Sequence, residues 1–248
     1  MSRDFDGTDD YIDLGDSSVW DFGTGDFTLM AWIRPETVSD TKRMEIISKD
    51  GTGTPGRQLT MEFNGKALAG TRGSFRIALF QADAILSQIV AYDAPQDSMV
   101  ANIWYHVAGV KRGNAAGSFT GFINGNSVTM TRDATLGDFP LTMQATATVV
   151  RIGNRALVGN TDEFDGQIAH AQAFNVALTQ NEIRQTMRYP GSIRRGLIRF
   201  FPLWGGSPEG DYSGNNNSGT ISGATLSTNN PPINGIFTVP KPELIHAF

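Results

Sequence analysis

Glu163 and Asp165, one residue apart, are the nearest this chain comes to the machinery of glycoside hydrolysis. That reaction needs two carboxylates facing one sugar, roughly 5–10 Å apart, and on a strand positions i and i+2 point the same way. Here the two acids fall in a turn ahead of a strand, and no third acid follows at strand spacing, so a glycoside hydrolase is the least favoured alternative and no enzyme is expected. A serine triad has no better footing. The histidines are His106, His170 and His246, and no G-x-S-x-G is present. His106 sits inside an apolar strand, the setting of a hydrogen-bonded structural histidine, and the face of His170 is undetermined by pattern. With no cysteine in the chain, thiolate catalysis, zinc–thiolate sites and disulfides are excluded together.

Two chemistries remain, cation binding and sugar binding. Asp6, Asp9, Asp10, Asp13 and Asp16 near the start, and Asp162, Glu163 and Asp165 later, offer the clustered oxygens that calcium prefers. Capping of Asx turns accounts for the same residues, and no EF-hand loop occurs. Sugar binding needs an exposed aromatic platform with polar neighbours. Trp32 and Trp104 fall on alternating strands and are read as core. Trp20 in a loop and Trp204 beside Gly205-Gly206, together with Tyr92 and Arg76, are the candidates for an exposed ligand surface; packing under a loop is the alternative for each.

These residues must be positioned by strands. In Gly25–Pro35, GDFTLMAWIRP, Phe27, Leu29, Ala31 and Ile33 alternate with Thr28, Met30, Trp32 and Arg34, the period-two pattern of a strand with two distinct faces. Further strands are expected at 11–14, 45–48, 58–63, 75–80, 104–111, 119–123, 127–131, 148–152, 167–174 and 197–203, with turn signals between them. Asn124-Gly125 marks a type I′ hairpin, and Asn64-Gly65 gives a similar signal. Segment 70–96 resists assignment; 87–92 reads as a strand or as part of a long loop. One helix is marked by Thr179 and Glu182 in capping-box spacing, by Ile183 and Met187 four apart, and by Pro190 as a stop. Residues 231–248, with four of the eleven prolines, read as an extended C-terminal arm. Its Phe237, Leu244, Ile245 and Phe248 would dock on this domain or on a partner. One domain, 1–230, plus this arm is expected.

Composition narrows the partners. A net charge of −5 with no basic cluster disfavours nucleic acid. No apolar run is long enough for a membrane span, and the opening residues, which enter the fold at once, set the expectation of a protein without an export leader.

The order of motifs resembles the laminin-G-like jelly rolls of the concanavalin A-like lectin and glucanase superfamily over most of residues 3–205. The resemblance is carried by FDGTDDYIDLG at Phe5–Gly15 with the strand that follows, WYHVAGVKR at Trp104–Arg112, GFINGNSV at Gly121–Val128, RIGN at Arg151–Asn154 and FDGQIAHAQAFNVALTQNEI at Phe164–Ile183. A further piece, LIRFFPLWGGSPEGDYSGNNNSGT, is similar to a segment that often precedes the family's domain and here follows it. The resemblance implies an all-β, two-sheet antiparallel β-sandwich of about a dozen strands, with ligand loops rising over one sheet. The family's glucanases use E-x-D-x-x-E, which this chain lacks. Side-by-side placement of the first strand and the closing block would let a structural calcium bridge Asp6 or Asp9 with Asp165. Ala169 and His170 replace the family's Asp pair and weaken that ligand set.

The function expected is non-catalytic binding or adhesion, in one of two forms. The first is a carbohydrate-recognition module, with calcium as a structural aid. The second is a purely structural virion subunit, a capsid-decoration or tail-associated protein, in an oligomer or larger assembly. Missing cysteines, the absent leader and the apolar arm suit a virion or extracellular assembly of phage type; the lectin-like motifs suit the first form.

Overall fold

The computed structural model describes residues 1–38, 42–63, 73–82, 85–157, 159 and 162–233. The arm residues Phe237, Leu244, Ile245 and Phe248, together with His246 and the Asn64-Gly65 turn, lie outside the described residues. Two antiparallel sheets stack face to face. The first runs β10 (Asn126–Val128), β9 (Phe119–Ile123), β8 (Tyr105–Lys111), β3 (Phe27–Pro35), β13 (Asp165–Phe174), β1 (Ser2–Asp6) and β16 (Thr225–Ser227), with β14 (Leu197–Phe201) added beside β13. The second runs β11 (Thr131–Arg132), β7 (Ile89–Asp93), β6 (Phe75–Phe80), β5 (Arg57–Phe63), β4 (Met44–Asp50), β12 (Arg151–Ile152), β2 (Tyr11–Asp13) and β15 (Thr220–Ser222).

Alternation in β3 does what its pattern predicts. Phe27, Leu29, Ala31 and Ile33 enter the core between the sheets, where they join Met61, Phe63, Phe75 and Ile77 of the second sheet. Met30 on the opposite face packs with Ala108, Phe122, Phe174 and Phe200 under the helix α1 (Gln180–Arg188), which contributes Ile183. The capping box is formed: Glu182 N–H donates to Thr179 Oγ1, and the Glu182 carboxylate accepts from the Thr179 N–H at 2.8 Å. Trp32 Nε1 donates to the Met187 carbonyl at 3.2 Å, tying the helix to the sheet. The type I′ hairpin is present, with Asn124 and Gly125 at φ 50° and 73°. At Gly109 an added Cβ would lie 2.0 Å from Ile77 Cδ1, so a glycine there permits the close approach of the sheets.

Some elements differ from the sequence expectation. The 127–131 strand is two strands in different sheets, β10 and β11, because the chain passes from one layer to the other between Val128 and Thr131. The expected 148–152 strand shrinks to β12. The 87–92 segment resolves into a short 3-10 turn, Leu86–Gln88, and β7. Strand β13 changes neighbour midway. Residues 165–168 pair with β1, residues 171–174 pair with β14, and the register against β3 slips between Ala169 and Gln172, where His170 adopts φ 50°. This is a β-bulge, which bends a strand and redirects its pairing.

Candidate functional site

On the second sheet the core-facing residues of β4 to β7 include Met44, Ile47, Met61, Phe63, Ile77 and Tyr92. The intervening positions therefore face outward. Register places them in three rows. Glu45, Glu62, Arg76 and Asp93 lie opposite one another across four strands. Next come Ser48, Thr60, Ala78 and Ala91, all small. In the third, Asp50 is opposite Arg57, and Phe80 is opposite Ile89. Four small residues flanked by two rows of larger ones make a low strip, or trough, across the strands, and it is covered: Ser48, Thr60 and Ala91 are at 0 % exposure, and Leu136 packs against Ala78, Phe80, Ile89 and Ala91. At an interstrand spacing of about 4.8 Å its floor is about 14 Å long.

The walls are charged. Arg76 donates to Asp93 at 2.8 Å and to Asp133 at 3.1 Å. Arg57 holds both oxygens of Asp50, at 3.1 and 3.2 Å, and its guanidinium lies 4.1 Å from the centre of the Phe80 ring. Arg155 reaches Asp50 at 3.3 Å and also pairs with Asp162. Arg43, just ahead of β4, is 3.4 Å from Asp162 and 3.9 Å from Glu62. The floor is closed to solvent, whereas the Arg43 and Arg57 side chains at the edge are each 27 % exposed.

Buried polar atoms ordinarily find partners. Along the first row, Glu45 Oε1 and Oε2, Glu62 Oε2, Asp93 Oδ1 and Arg76 Nε have no hydrogen-bond partner. Burial, and then the nearby Glu62 and Asp50 carboxylates, hold the Glu45 carboxyl well above the usual carboxylate range. Burial lifts Asp93 to about 6, against the pull of Arg76. Burial also raises Asp162, opposed by Arg43 and Arg155. Because Glu45 is raised in the fold, the stability tied to its proton is complete below the ordinary carboxylate range and fades as pH climbs toward the raised value. Glu45→Gln, which cannot ionise, should melt with the wild type near pH 4 and several degrees higher at pH 8. Scanning calorimetry at the two pH values checks this, and equal melting at both would contradict it.

The residues proposed from sequence fare unevenly. Trp20 is not at the surface: at 1 % exposure it closes the core edge-on to Phe22, because the short turn at Ser18–Trp20 folds inward. Tyr92 likewise points into the core, stacked on Phe119 and Phe139. Arg76 is in the trough wall, locked in its two ion pairs and buried. Trp204 stays half-buried, edge-on to His170 and Tyr212. Trp104, expected in the core, is half-buried with Nε1 donating to Asn229 Oδ1 at 3.1 Å.

Among the acids near the start, Asp6, Asp9 and Asp10 come together, with ligand atoms within 4.8 Å of one another. Asp165 is opposite Asp6 in the β1–β13 register and packs against Gly7, outside that trio. Two of the three carboxylates cap the turn: Asp10 accepts from the Asp6 N–H at 3.0 Å, and Asp6 from the Thr8 N–H at 2.9 Å. Asp162 and Glu163 are engaged with Arg43, Arg155 and Lys42.

Sequence reasoning passed over Glu45, Glu62 and the trough. A signal existed in the charges placed singly within apolar strands, M-E-I at 44–46, M-E-F at 61–63 and F-R-I at 75–77.

Residues 6–184 match a laminin-G-type family model described as the concanavalin A-like lectin/glucanases superfamily. A search of curated proteins finds no match. Among solved structures, a candidate carbohydrate-binding protein from Bacteroides ovatus aligns over 94 % of this chain and 61 % of its own length, with 18 % identity and a TM-score of 0.66. This chain thus spans less than two thirds of that protein. The heptameric SAP-like pentraxin of Limulus polyphemus aligns over 79 % of this chain and 85 % of its own, with 16 % identity and a TM-score of 0.49. The sialidase CBM40 module of Ruminococcus gnavus, bound to α2,3 sialyllactose, aligns over 75 % and 97 %, with 16 % identity and a TM-score of 0.49. At these identities the likeness is one of fold.

Proposed function

We propose that this chain, which belongs to the concanavalin A-like lectin/glucanases superfamily, binds carbohydrate without cleaving it, on the outer face of its second sheet at the exposed Arg43 and Arg57 rim of the trough. The observation that carries the reading is the row of buried polar atoms without partners along one wall. A sugar hydroxyl both donates and accepts, so a run of vicinal hydroxyls can meet carboxylates and guanidinium edges together. Arg43 and Arg57 are the partly exposed side chains of this face, and Phe80 beneath Arg57 supplies an apolar patch. Cleavage forms no part of the reading, because Glu45 and Glu62 stand side by side at 0 and 1 % exposure, whereas an acid and a nucleophile must flank an open glycosidic bond. Kinship of fold with carbohydrate-binding proteins supports the substrate class by analogy. No structural observation favours the virion-subunit alternative over this one.

Titration calorimetry of the full chain against a panel of neutral oligosaccharides, with calcium and with chelator, tests the reading. Binding is expected with a loss of at least tenfold, about 1.4 kcal/mol, in Arg57→Ala. That variant leaves Asp50 paired with Arg155. Trp204→Ala, on the far side of the sandwich, should bind as the wild type does. No binding under either condition, or a loss confined to Trp204→Ala, would overturn it.

A further inference from the structure

Ion pairing is unevenly shared among the arginines. Among the described residues, every arginine has a carboxylate within 3.9 Å except four. These are Arg112, Arg184, Arg188 and Arg194, and all are exposed. They meet at one element, helix α1, on the outer face of the first sheet. Arg112 donates to the Ala177 and Leu178 carbonyls just ahead of the helix, at 3.2 and 3.4 Å. Arg184 and Arg188 stand about one turn apart on it. Arg184 donates to the Gly125 carbonyl and to Asn126 Oδ1, both at 3.0 Å, and Arg188 has no partner among the described residues. Arg194 follows the helix and donates to the Tyr212 carbonyl at 2.8 Å. All of these acceptors are neutral, so the charges stay uncompensated. The sequence keeps them so. Residues 166–208 hold one acid, Glu182, which Arg195 takes at 2.7 Å, and residues 98–132 hold none. Asp26, beside Arg112, accepts from the Gly113 N–H at 2.7 Å. In a chain of net charge −5 this is a local reversal of sign.

We propose that this arginine band is a second binding site, for an acidic polysaccharide: a linear chain that carries carboxylates on its sugar units. A guanidinium has more N–H groups than the bonds above use, and its fork donates two parallel hydrogen bonds to one carboxylate. Helix α1 has nine residues, which gives the band a reach of about 13 Å, so one polymer strand meets several arginines at once. Tyr189, 49 % exposed and next to Arg188, offers an aromatic face to a sugar ring. Nucleic acid fits less well, because its dense phosphates would meet the repulsion of a chain that is negative overall. The band lies across the sandwich from the Arg43 and Arg57 rim and does not depend on it.

Calorimetry of the full chain with oligogalacturonate, its methyl-esterified neutral counterpart and duplex DNA tests this, at about 50 mM and about 200 mM salt. Oligogalacturonate is expected to bind about tenfold more tightly than its ester and to weaken several-fold at the higher salt. The double variant Arg184→Gln, Arg188→Gln should lose about tenfold, with melting curves confirming that it is folded. Arg188→Gln alone, which breaks no contact among the described residues, should lose about threefold. Arg151→Gln removes the same charge from the second sheet, where Arg151 is paired with Asp13, and should bind as the wild type does. Equal affinity for acid and ester, an equal loss in Arg151→Gln, tighter binding of duplex DNA than of oligogalacturonate, or no binding of oligogalacturonate would each overturn the proposal. Neutral oligosaccharides report on the Arg57 rim separately, so either site can fail alone.

Discussion

Arg3→Met should destabilise the protein by about 3–5 kcal/mol and lower its melting temperature by roughly 10 °C. Arg3 joins the beginning of the described chain to its last strands. Its Nε donates to Glu209 Oε2 at 3.0 Å, its Nη1 to the Ala224 carbonyl at 3.3 Å and its Nη2 to the Gly206 carbonyl at 2.6 Å. Glu209 is wholly buried, and burial raises its carboxyl against the opposing pull of Arg3. Removing the guanidinium strands that carboxylate together with two carbonyls, and an uncompensated buried charge is far worse than a lost contact. The double variant Arg3→Met, Glu209→Met removes both charges and should recover most of the loss. Urea unfolding of the three proteins measures this, and a single-variant loss under about 1 kcal/mol would contradict the account. The pair also explains why β16 can close the sheet beside β1, since the clasp holds Ala224, the residue just before that strand, together with Gly206 and Glu209.

The second large effect is acid sensitivity from two histidines on the outer face of the first sheet. His106, at 1 % exposure, packs edge-on to Trp32 at 5.4 Å, and neither ring nitrogen has a hydrogen-bond partner. His170, at 3 % exposure, occupies the β13 bulge against Phe200 and Trp204. Burial pushes both down to about 3, and the N-terminal amine and His106 add to the effect at His170. The unfolded chain takes up these protons near pH 6.5 and the folded chain does not, so stability is intact above 6.5 and falls as pH drops toward 3. At pH 5 each ring should account for about 2 kcal/mol of lost stability. Glu45 and Asp93, raised by burial, gain in the same direction of pH and mask part of the loss. The difference between His106→Phe and wild type isolates the term. Relative to wild type, the variant should gain about 2 kcal/mol between pH 8 and pH 5; parallel pH profiles would show that His106 is not held neutral.

The parts of the fold that were legible in the sequence are those fixed by neighbours along the chain. Alternation in β3, the Asn124-Gly125 hairpin and the Thr179–Glu182 box each depend on residues within a few positions, and each forms as read. The parts that were not legible depend on what arrives from elsewhere. Trp20 and Tyr92 look like surface aromatics until the core around them is assembled, and Arg76 looks free until Asp93 and Asp133 are brought to it by pairing and by the turn after β11. The bulge at His170 follows from the exchange of β1 for β14 beside β13, a choice no local pattern encodes. The trough is the clearest case. Ser48, Thr60, Ala78 and Ala91 are unremarked small residues on four strands until register sets them in a line.

The most direct measurement is a crystal structure of the full chain with the tightest oligosaccharide of the calorimetric panel. Sugar density at the Arg43 and Arg57 rim of the trough, with a ring against Arg57 and Phe80, is the predicted result. Density over Trp204 and Tyr212, with the trough unchanged, would contradict it.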